Sequence, residues 1–213
     1  MSWLWIVGTV VLCLCVCLLM YMYYKQQLRY MLAGLYKSTG TLCAMIPALV
    51  AAIKLDPHCY ICVAALGLHA IADYILEFNF NLGAGLFLAG HICYIAFFTQ
   101  IFPVSAVHMI CLAGMVGILV YALYRNRKAI GKRMPLFAIY GALLSIMTGY
   151  ALGCISSGTS RGIMIAAAGV LFFISDYILL HRTLYTAGKA VSWIIMITYY
   201  AAQLLFGFSC LYA

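Results

Sequence analysis

Long runs of apolar residues, each close to the length of a membrane crossing, fill most of this chain. A helix needs about 20 consecutive apolar residues to span a bilayer. The sequence therefore predicts eight transmembrane helices, at 3–24, 29–53, 58–77, 83–101, 104–124, 134–154, 162–180 and 189–212. The apolar runs are continuous rather than alternating, which excludes a strand barrel. Only Phe102 and Pro103 separate the fourth run from the fifth, so this hairpin is the least distinct connection.

The composition agrees with this pattern. Hydrophobic residues make up 68% of the 213 residues and charged residues 8%, whereas soluble domains are about half apolar and a quarter charged. We therefore expect an integral membrane protein whose fold is all-α, a single helical domain over residues 1–213. The first run has no basic segment before it and no small-residue cleavage site, so it is interpreted as a retained helix rather than a signal peptide.

The net charge of +8 predicts the topology, because cytoplasmic loops of membrane proteins are enriched in Lys and Arg. With eight spans and both termini on the non-cytoplasmic side, the outer loops hold only Lys54 and Arg161. The cytoplasmic loops then hold Lys25, Arg29, Arg125, Arg127, Lys128, Lys132, Arg133, Arg182 and Lys189. The basic run at 125–133 is interpreted as an anchor against anionic headgroups. We expect a lipid bilayer and no nucleic acid as partner: the plasma membrane in a bacterium, the endoplasmic reticulum in a eukaryote.

Two aspartates interrupt the apolar runs in similar contexts, Asp73 in HAIADYILEF and Asp176 in FFISDYILLH. A carboxylate inside a membrane helix costs about 2.5–3.5 kcal/mol even on insertion scales, so both residues are predicted to be functional. The segments lie 103 residues apart, and each belongs to the third helix of a four-helix half. A duplication and the recurrence of a common helix-end pattern both explain this spacing. At the same spacing Lys37 aligns with Tyr140 and His91 with Ile194.

The other intramembrane polar groups are predicted to gather in the cytoplasmic half of the bundle. Helical rise places Asp73 and Asp176 roughly 6 Å below the inner interface, and Lys37 and His91 roughly 12 Å deep. Their helices, the second, third, fourth and seventh, would enclose a cavity together with the eighth. The cavity is expected to open toward the cytoplasmic leaflet, with the first and fifth helices packed at its edge.

Four segments in register resemble a known family. GAGLFLAGHICY at 83–94 fits a G-x-x-x-F-x-x-G-H-x-x-Y pattern, and GVLFFISDYIL at 169–179 fits G-x-x-x-F-x-x-S-D. MITYYAAQLL at 196–205 resembles a Y-Y-x-x-Q helix, and Lys37 falls where the family has a lysine early in the second span. From about residue 30 onward the chain is similar to the YhhN-type lysoplasmalogenase family of integral membrane proteins. It departs from the family at Ala72, where Gly is usual, and at Ser38, where Pro is common.

The resemblance implies hydrolysis of the vinyl ether bond of a lysoplasmalogen, giving a fatty aldehyde and a glycerophospho-ethanolamine or -choline. Protonation of the β-carbon gives an oxocarbenium ion, to which water adds. Such chemistry requires one protonated carboxyl and one anionic group, and no metal or organic cofactor is expected. Asp73 and Asp176 are the predicted acid and base, unassigned between them, and His91 would hold or relay a proton. The residues predicted to bind substrate or water are Lys37, Tyr94, Tyr199, Tyr200 and Gln203.

Other interpretations of the same residues stay open at this point. Each aspartate alone is compatible with a helix cap or a side chain reaching the interface, and Lys37 with a structural ion pair. Tyr199 and Tyr200 are compatible with packing aromatics. A proton-coupled transporter and a non-catalytic lipid-binding protein are the alternative functions. Cys59 and Cys62 form a lone C-x-x-C without the further ligands that a zinc site needs, so no metal site is expected.

Overall fold

The computed structural model describes residues 3–186 and 188–212, with side chains from residue 6 onward. Within these residues the chain forms eight α-helices and three short 3-10 turns, and no strand. The helices are α1 (Trp3–Gln26), α2 (Tyr30–Lys54), α3 (Cys59–Ile75), α4 (Phe80–Ile101), α5 (Ala106–Ile130), α6 (Met134–Gly153), α7 (Ser160–Leu184) and α8 (Lys189–Ser209). The all-α class is thus confirmed.

Short polar connections begin several of these helices. The side chain of Asn79 accepts a hydrogen bond from the Leu82 amide at the start of α4, and Thr159 accepts one from Gly162 at the start of α7. Such side chains satisfy amides that have no partner within the first helical turn. Gly158, at φ +65°, reverses the chain before α7 in a conformation that only glycine adopts without strain.

Six segments of the structure are long and apolar enough to cross a membrane. The stretch Ala106–Ser157 counts as one of them although it comprises both α5 and α6, and α3 falls below the required length with 17 residues. These segments indicate an integral membrane protein. The number of eight spans and the sidedness of the termini stay predictions, and Met1 and Ala213 lie outside the described residues.

The helices pack in two similar sets of four. Sequential neighbours are in contact in each set, α1 with α2, α2 with α3 and α3 with α4, and likewise from α5 to α8. The main contacts between the sets match, since α2 packs on α8 while α4 packs on α6. The second helix of each set therefore contacts the fourth helix of the other. The two intramembrane aspartates are carried by α3 and α7, the third helix of each set.

Ion pairs are found at both ends of the bundle. At one end Lys25, on the last turn of α1, pairs with Glu77 just after α3. At the other end Arg161 of α7 donates to Asp56, in the connection between α2 and α3, at 3.1 Å. Burial raises the pKa of the Asp56 carboxyl, but hydrogen bonds from the backbone and ring of His58 and from Arg161 outweigh this and hold the pKa below its ordinary value.

Candidate functional site

One cavity, partly open to its surroundings, contains both intramembrane carboxyl groups. Asp73 reaches it from α3 and Asp176 from α7, and neither is more than 9% exposed. Most of the lining is apolar, with leucines and phenylalanines from α4, α5, α6 and α7. The polar lining is confined to Lys37, Asp73, Tyr140, Ser145, Ser175, Asp176, Tyr177, Thr183 and Tyr199. The arrangement fits a ligand that has a long apolar part and one polar reacting group.

Asp73 lies among hydrogen-bond donors from two other helices. Its Oδ2 accepts from Thr41 Oγ1 of α2 at 2.5 Å and from the Tyr199 hydroxyl of α8 at 2.8 Å. Lys37 Nζ, also on α2, lies 3.1 Å from Oδ1. Thr41 follows Lys37 by one helical turn, so both side chains are on the face of α2 that packs on α3. A carboxylate surrounded in this way is compensated for the water that it has lost.

A chain of buried side chains leads to Asp73, and each hydrogen bond in this chain is donated toward the carboxyl group. The Tyr94 hydroxyl donates to Gln203 Oε1 at 2.8 Å, and Gln203 Nε2 donates to the Tyr199 hydroxyl at 2.8 Å. Tyr199 in turn donates to Asp73. Gln203 Nε2 also lies 2.8 Å from His69 Nδ1, and His69 Nε2 lies 3.3 Å from the Phe87 carbonyl. Donors aligned head to tail polarise one another, which strengthens the final bond to the carboxylate.

Asp176 has a different environment. Its Oδ2 accepts a hydrogen bond from the Tyr140 hydroxyl of α6 at 2.6 Å, and no ammonium or guanidinium of the described residues forms an ion pair with it. Ser175, the preceding residue, donates to the Ile195 carbonyl at 3.0 Å and so ties α7 to α8. The two carboxyl groups therefore share a cavity but have unlike partners.

The structure places four other predicted site residues away from the cavity lining: His91, Tyr94, Tyr200 and Gln203. His91 is fully buried between the rings of His69, Phe172 and Tyr140, and neither of its nitrogens has a hydrogen-bond partner among the described residues. The Tyr200 hydroxyl donates to the Lys37 carbonyl at 2.9 Å, which fastens α8 to α2 beside the ion pair. Tyr94 and Gln203 reach Asp73 through Tyr199.

Sequence reasoning missed two groups and misplaced one helix. Thr41 and Tyr140 contact the carboxyl groups directly but were not predicted, because hydroxyls in apolar helices are common and carry little signal. For Tyr140 a signal existed, since it lies 103 residues after Lys37, as Asp176 does after Asp73. Helix α5 was expected at the edge, yet with α6 it forms one wall of the cavity through residues such as Leu119 and Leu136.

Cys59 and Cys62 of α3 contact backbone carbonyl groups at the end of α8 and just after it. Cys59 Sγ lies 3.9 Å from the Cys210 carbonyl, and Cys62 Sγ lies 3.7 Å from the Phe206 carbonyl. Across the described part of the chain, no group of three His, Cys, Asp or Glu side chains is placed to hold a metal ion. Through these contacts the buried C-x-x-C segment of α3 packs against the C-terminal end of α8.

A comparison with protein families decides the relationship of this chain to known proteins. The profile of the YhhN family matches residues 32–210, from the start of α2 to the end of α8. The chain belongs to the YhhN family. Comparisons with curated proteins and with solved structures found no significant match. The matched residues include Lys37, Thr41, Tyr140 and Tyr199, which form hydrogen bonds or an ion pair with the two buried carboxyl groups.

Proposed function

We propose that this YhhN-family protein is a membrane-embedded lysoplasmalogenase, which hydrolyses the vinyl ether bond of a lysophospholipid without a metal or organic cofactor. The observation that carries the proposal is the presence of Asp73 and Asp176 in one largely apolar cavity. Vinyl ether hydrolysis needs an acid that protonates carbon and an anion that stabilises the resulting cation. Two carboxyl groups with unlike surroundings supply both roles.

The shape of the cavity supports a single-chain lipid as substrate. Its apolar wall includes Leu119 and Leu123 of α5, Leu136 of α6, and Leu179 and Leu180 of α7. A fatty chain buried along this wall contributes about 0.8 kcal/mol per CH₂ group. Binding of the chain would hold the vinyl ether near the carboxyl groups and exclude most water from the reacting bond.

The polar side of the cavity supports the chemical step. Protonation of the β-carbon leaves a positive charge shared between the α-carbon and the ether oxygen. A carboxylate held beside that position stabilises the charge, and its hydrogen-bonded neighbours orient the water that adds. The hemiacetal then collapses to an aldehyde and the free glycerol hydroxyl. Tyr199 and Gln203 would hold the carboxylate in place, while Lys37 compensates its charge.

The test is release of fatty aldehyde from a lysoplasmalogen by the purified protein. In D₂O the aldehyde should carry one deuterium on the carbon next to the carbonyl, because that carbon receives the proton. The matched 1-alkyl lysophospholipid has no double bond to protonate and should stay intact. Aldehyde incubated in D₂O with heat-inactivated protein controls for exchange after release.

Variants connect the activity to the two carboxyl groups. Asp73→Asn and Asp176→Asn should each abolish aldehyde release while the protein still elutes as a folded species. Asp56→Asn, at the opposite end of the bundle, should retain activity. Full activity of either cavity variant would refute the paired mechanism. Solute or proton flux in liposomes without aldehyde release would instead favour a carrier.

A further inference from the structure

The two carboxyl groups in the cavity differ in the charge of their partners. Asp73 has an ammonium within 3.1 Å and two hydroxyl donors within 2.8 Å. For Asp176 the described residues provide one hydroxyl donor, Tyr140, and no cation at ion-pair distance. Cationic and hydrogen-bonding partners favour the charged form of a carboxyl group, whereas removal from water without them favours the neutral form.

A count of charges in the cavity leads to the same distinction. Its ionisable lining consists of Lys37 from α2, Asp73 from α3, Tyr140 from α6, Asp176 and Tyr177 from α7, and Tyr199 from α8. The lining from α4 and α5 is apolar. One lysine balances one carboxylate, so two ionised aspartates would leave an uncompensated charge in a largely apolar, buried site. Such a charge is costly, and a bound proton removes it.

The directional chain from Tyr94 through Gln203 and Tyr199 ends on Asp73. Every bond in it presents a hydrogen toward that carboxyl, which is the arrangement that stabilises an anion. Asp176 has no comparable chain, because Tyr140 is its single donor among the described side chains. The proton therefore belongs on Asp176.

We propose that Asp176 is the proton donor of this site, that Tyr140 positions it, and that Asp73 remains a carboxylate throughout. The assignment rests on the function proposed above. Tyr140 donates to Oδ2, which leaves Oδ1 of this cavity-lining residue to carry the proton. Tyr140 occupies the place in α6 that Lys37 occupies in α2, 103 residues earlier. Because the tyrosine brings no positive charge, the second aspartate lacks the cation that would stabilise its ionised form.

The reaction balances with water as the only added reactant. The Oδ1 proton of Asp176 bonds to the β-carbon through the electron pair of the double bond, and an ether oxygen lone pair forms the oxocarbenium bond. Asp176 is now a carboxylate, stabilised by Tyr140, while Asp73 faces the cation. Water bonds to the α-carbon and returns a proton to Asp176. As the hemiacetal carbon–oxygen bond breaks, its hydroxyl proton passes to the glycerol oxygen and the aldehyde forms.

Infrared difference spectra between the purified wild type and its variants test the protonation state of Asp176 without any substrate. A protonated carboxyl has a C=O stretch that is separate from carboxylate bands and shifts in D₂O. We expect this band in the wild type and its loss in Asp176→Asn. Tyr140→Phe, which removes one hydroxyl and little else, should move the band to higher frequency because the C=O loses its hydrogen bond.

Tyr199→Phe is the matched control, since it removes the equivalent hydroxyl from Asp73. We expect this variant to leave the frequency of the C=O band unchanged within the spectral resolution. A band that survives in Asp176→Asn, or that responds to Tyr199→Phe and ignores Tyr140→Phe, would overturn the assignment. These spectra do not depend on turnover, so failure of the assignment is distinguishable from failure of the lysoplasmalogenase proposal.

Kinetics then separate positioning from a structural role. Tyr140→Phe should lower kcat about 10- to 100-fold with little change in KM, because the hydroxyl stabilises the carboxylate formed as the proton leaves. The alkaline limb of the kcat profile should move to higher pH, since the lost donor favoured ionisation of Asp176. An alkaline limb that does not move would refute the role of Tyr140. A loss of kcat/KM that comes entirely from a rise in KM would refute it as well.

Discussion

Lys37 and Asp73 form an ion pair of 3.1 Å inside the bundle, with the lysine side chain 12% exposed and the carboxyl fully buried. A second pair, Lys25 with Glu77, lies at the end of the bundle, with a lysine side chain 33% exposed and a carboxyl side chain 4% exposed. In both pairs the carboxyl group is removed from water. Loss of either lysine would therefore leave a carboxylate without its partner, whereas loss of an exposed, unpaired lysine would not.

Lys37→Met is expected to destabilise the protein by at most about 3–5 kcal/mol, because Asp73 loses its buried cation and offsets part of that cost by binding a proton. It should also abolish aldehyde release, since Asp73 would then tend to bind a proton. Lys132→Met is the matched control, because Lys132 is exposed and forms no ion pair with a described residue, and it should change stability by no more than about 0.5 kcal/mol. Thermal unfolding in detergent measures both variants, and equal destabilisation would contradict the distinction.

Gln203 connects three buried polar side chains, so its loss should cost more than one hydrogen bond. Gln203→Met keeps a similar volume but leaves Tyr94 and His69 without their partner. Each buried polar group left unsatisfied costs about 1–3 kcal/mol. Gln100→Met, on the exposed last turn of α4, should leave unfolding unchanged. Similar melting temperatures for the two variants would show that the chain of hydrogen-bond donors contributes nothing to stability.

Close packing between α8 and α2 depends on Gly207. A Cβ at this position would overlap the Ala44 carbonyl oxygen, which is backbone and cannot rotate away. We expect Gly207→Ala to destabilise the protein by about 1–3 kcal/mol. Gly85→Ala, where the added atom meets nothing within 4 Å, should be neutral or stabilising. The comparison is made by thermal unfolding.

Stability at acidic pH should depend on Asp56. Its pKa is lower in the folded protein than in an unfolded chain, because His58 and Arg161 favour the ionised form. The carboxylate thus contributes stability above the unfolded pKa of about 3.9, and the contribution disappears as pH falls through the folded pKa. The difference in melting temperature between wild type and Asp56→Asn should narrow as pH is lowered from 7 toward 3. A constant difference over this range would refute the linkage.

Several features of the fold were predictable because they depend on local composition. The boundaries of α1, α2 and α4 lie within a few residues of the apolar runs that predicted them. Asp73, Asp176 and Lys37 stand out in the sequence for a similar reason, because an isolated charge in an apolar run is costly wherever the helix packs. The cavity that contains all three was expected between the helices that carry them.

The sequence by itself determined that the chain is helical and apolar, and which charged groups must find partners inside it. Only the tertiary structure decided which partners those are. Thr41, Tyr140 and Tyr199 reach their carboxyl groups from separate helices, and a hydroxyl on an apolar helix has no local pattern that reveals its neighbour. The wall formed by α5 and α6 follows from how the two sets of four helices pack together. Hydropathy is set residue by residue, whereas the pairing of lysine with one aspartate and tyrosine with the other depends on contacts between distant segments.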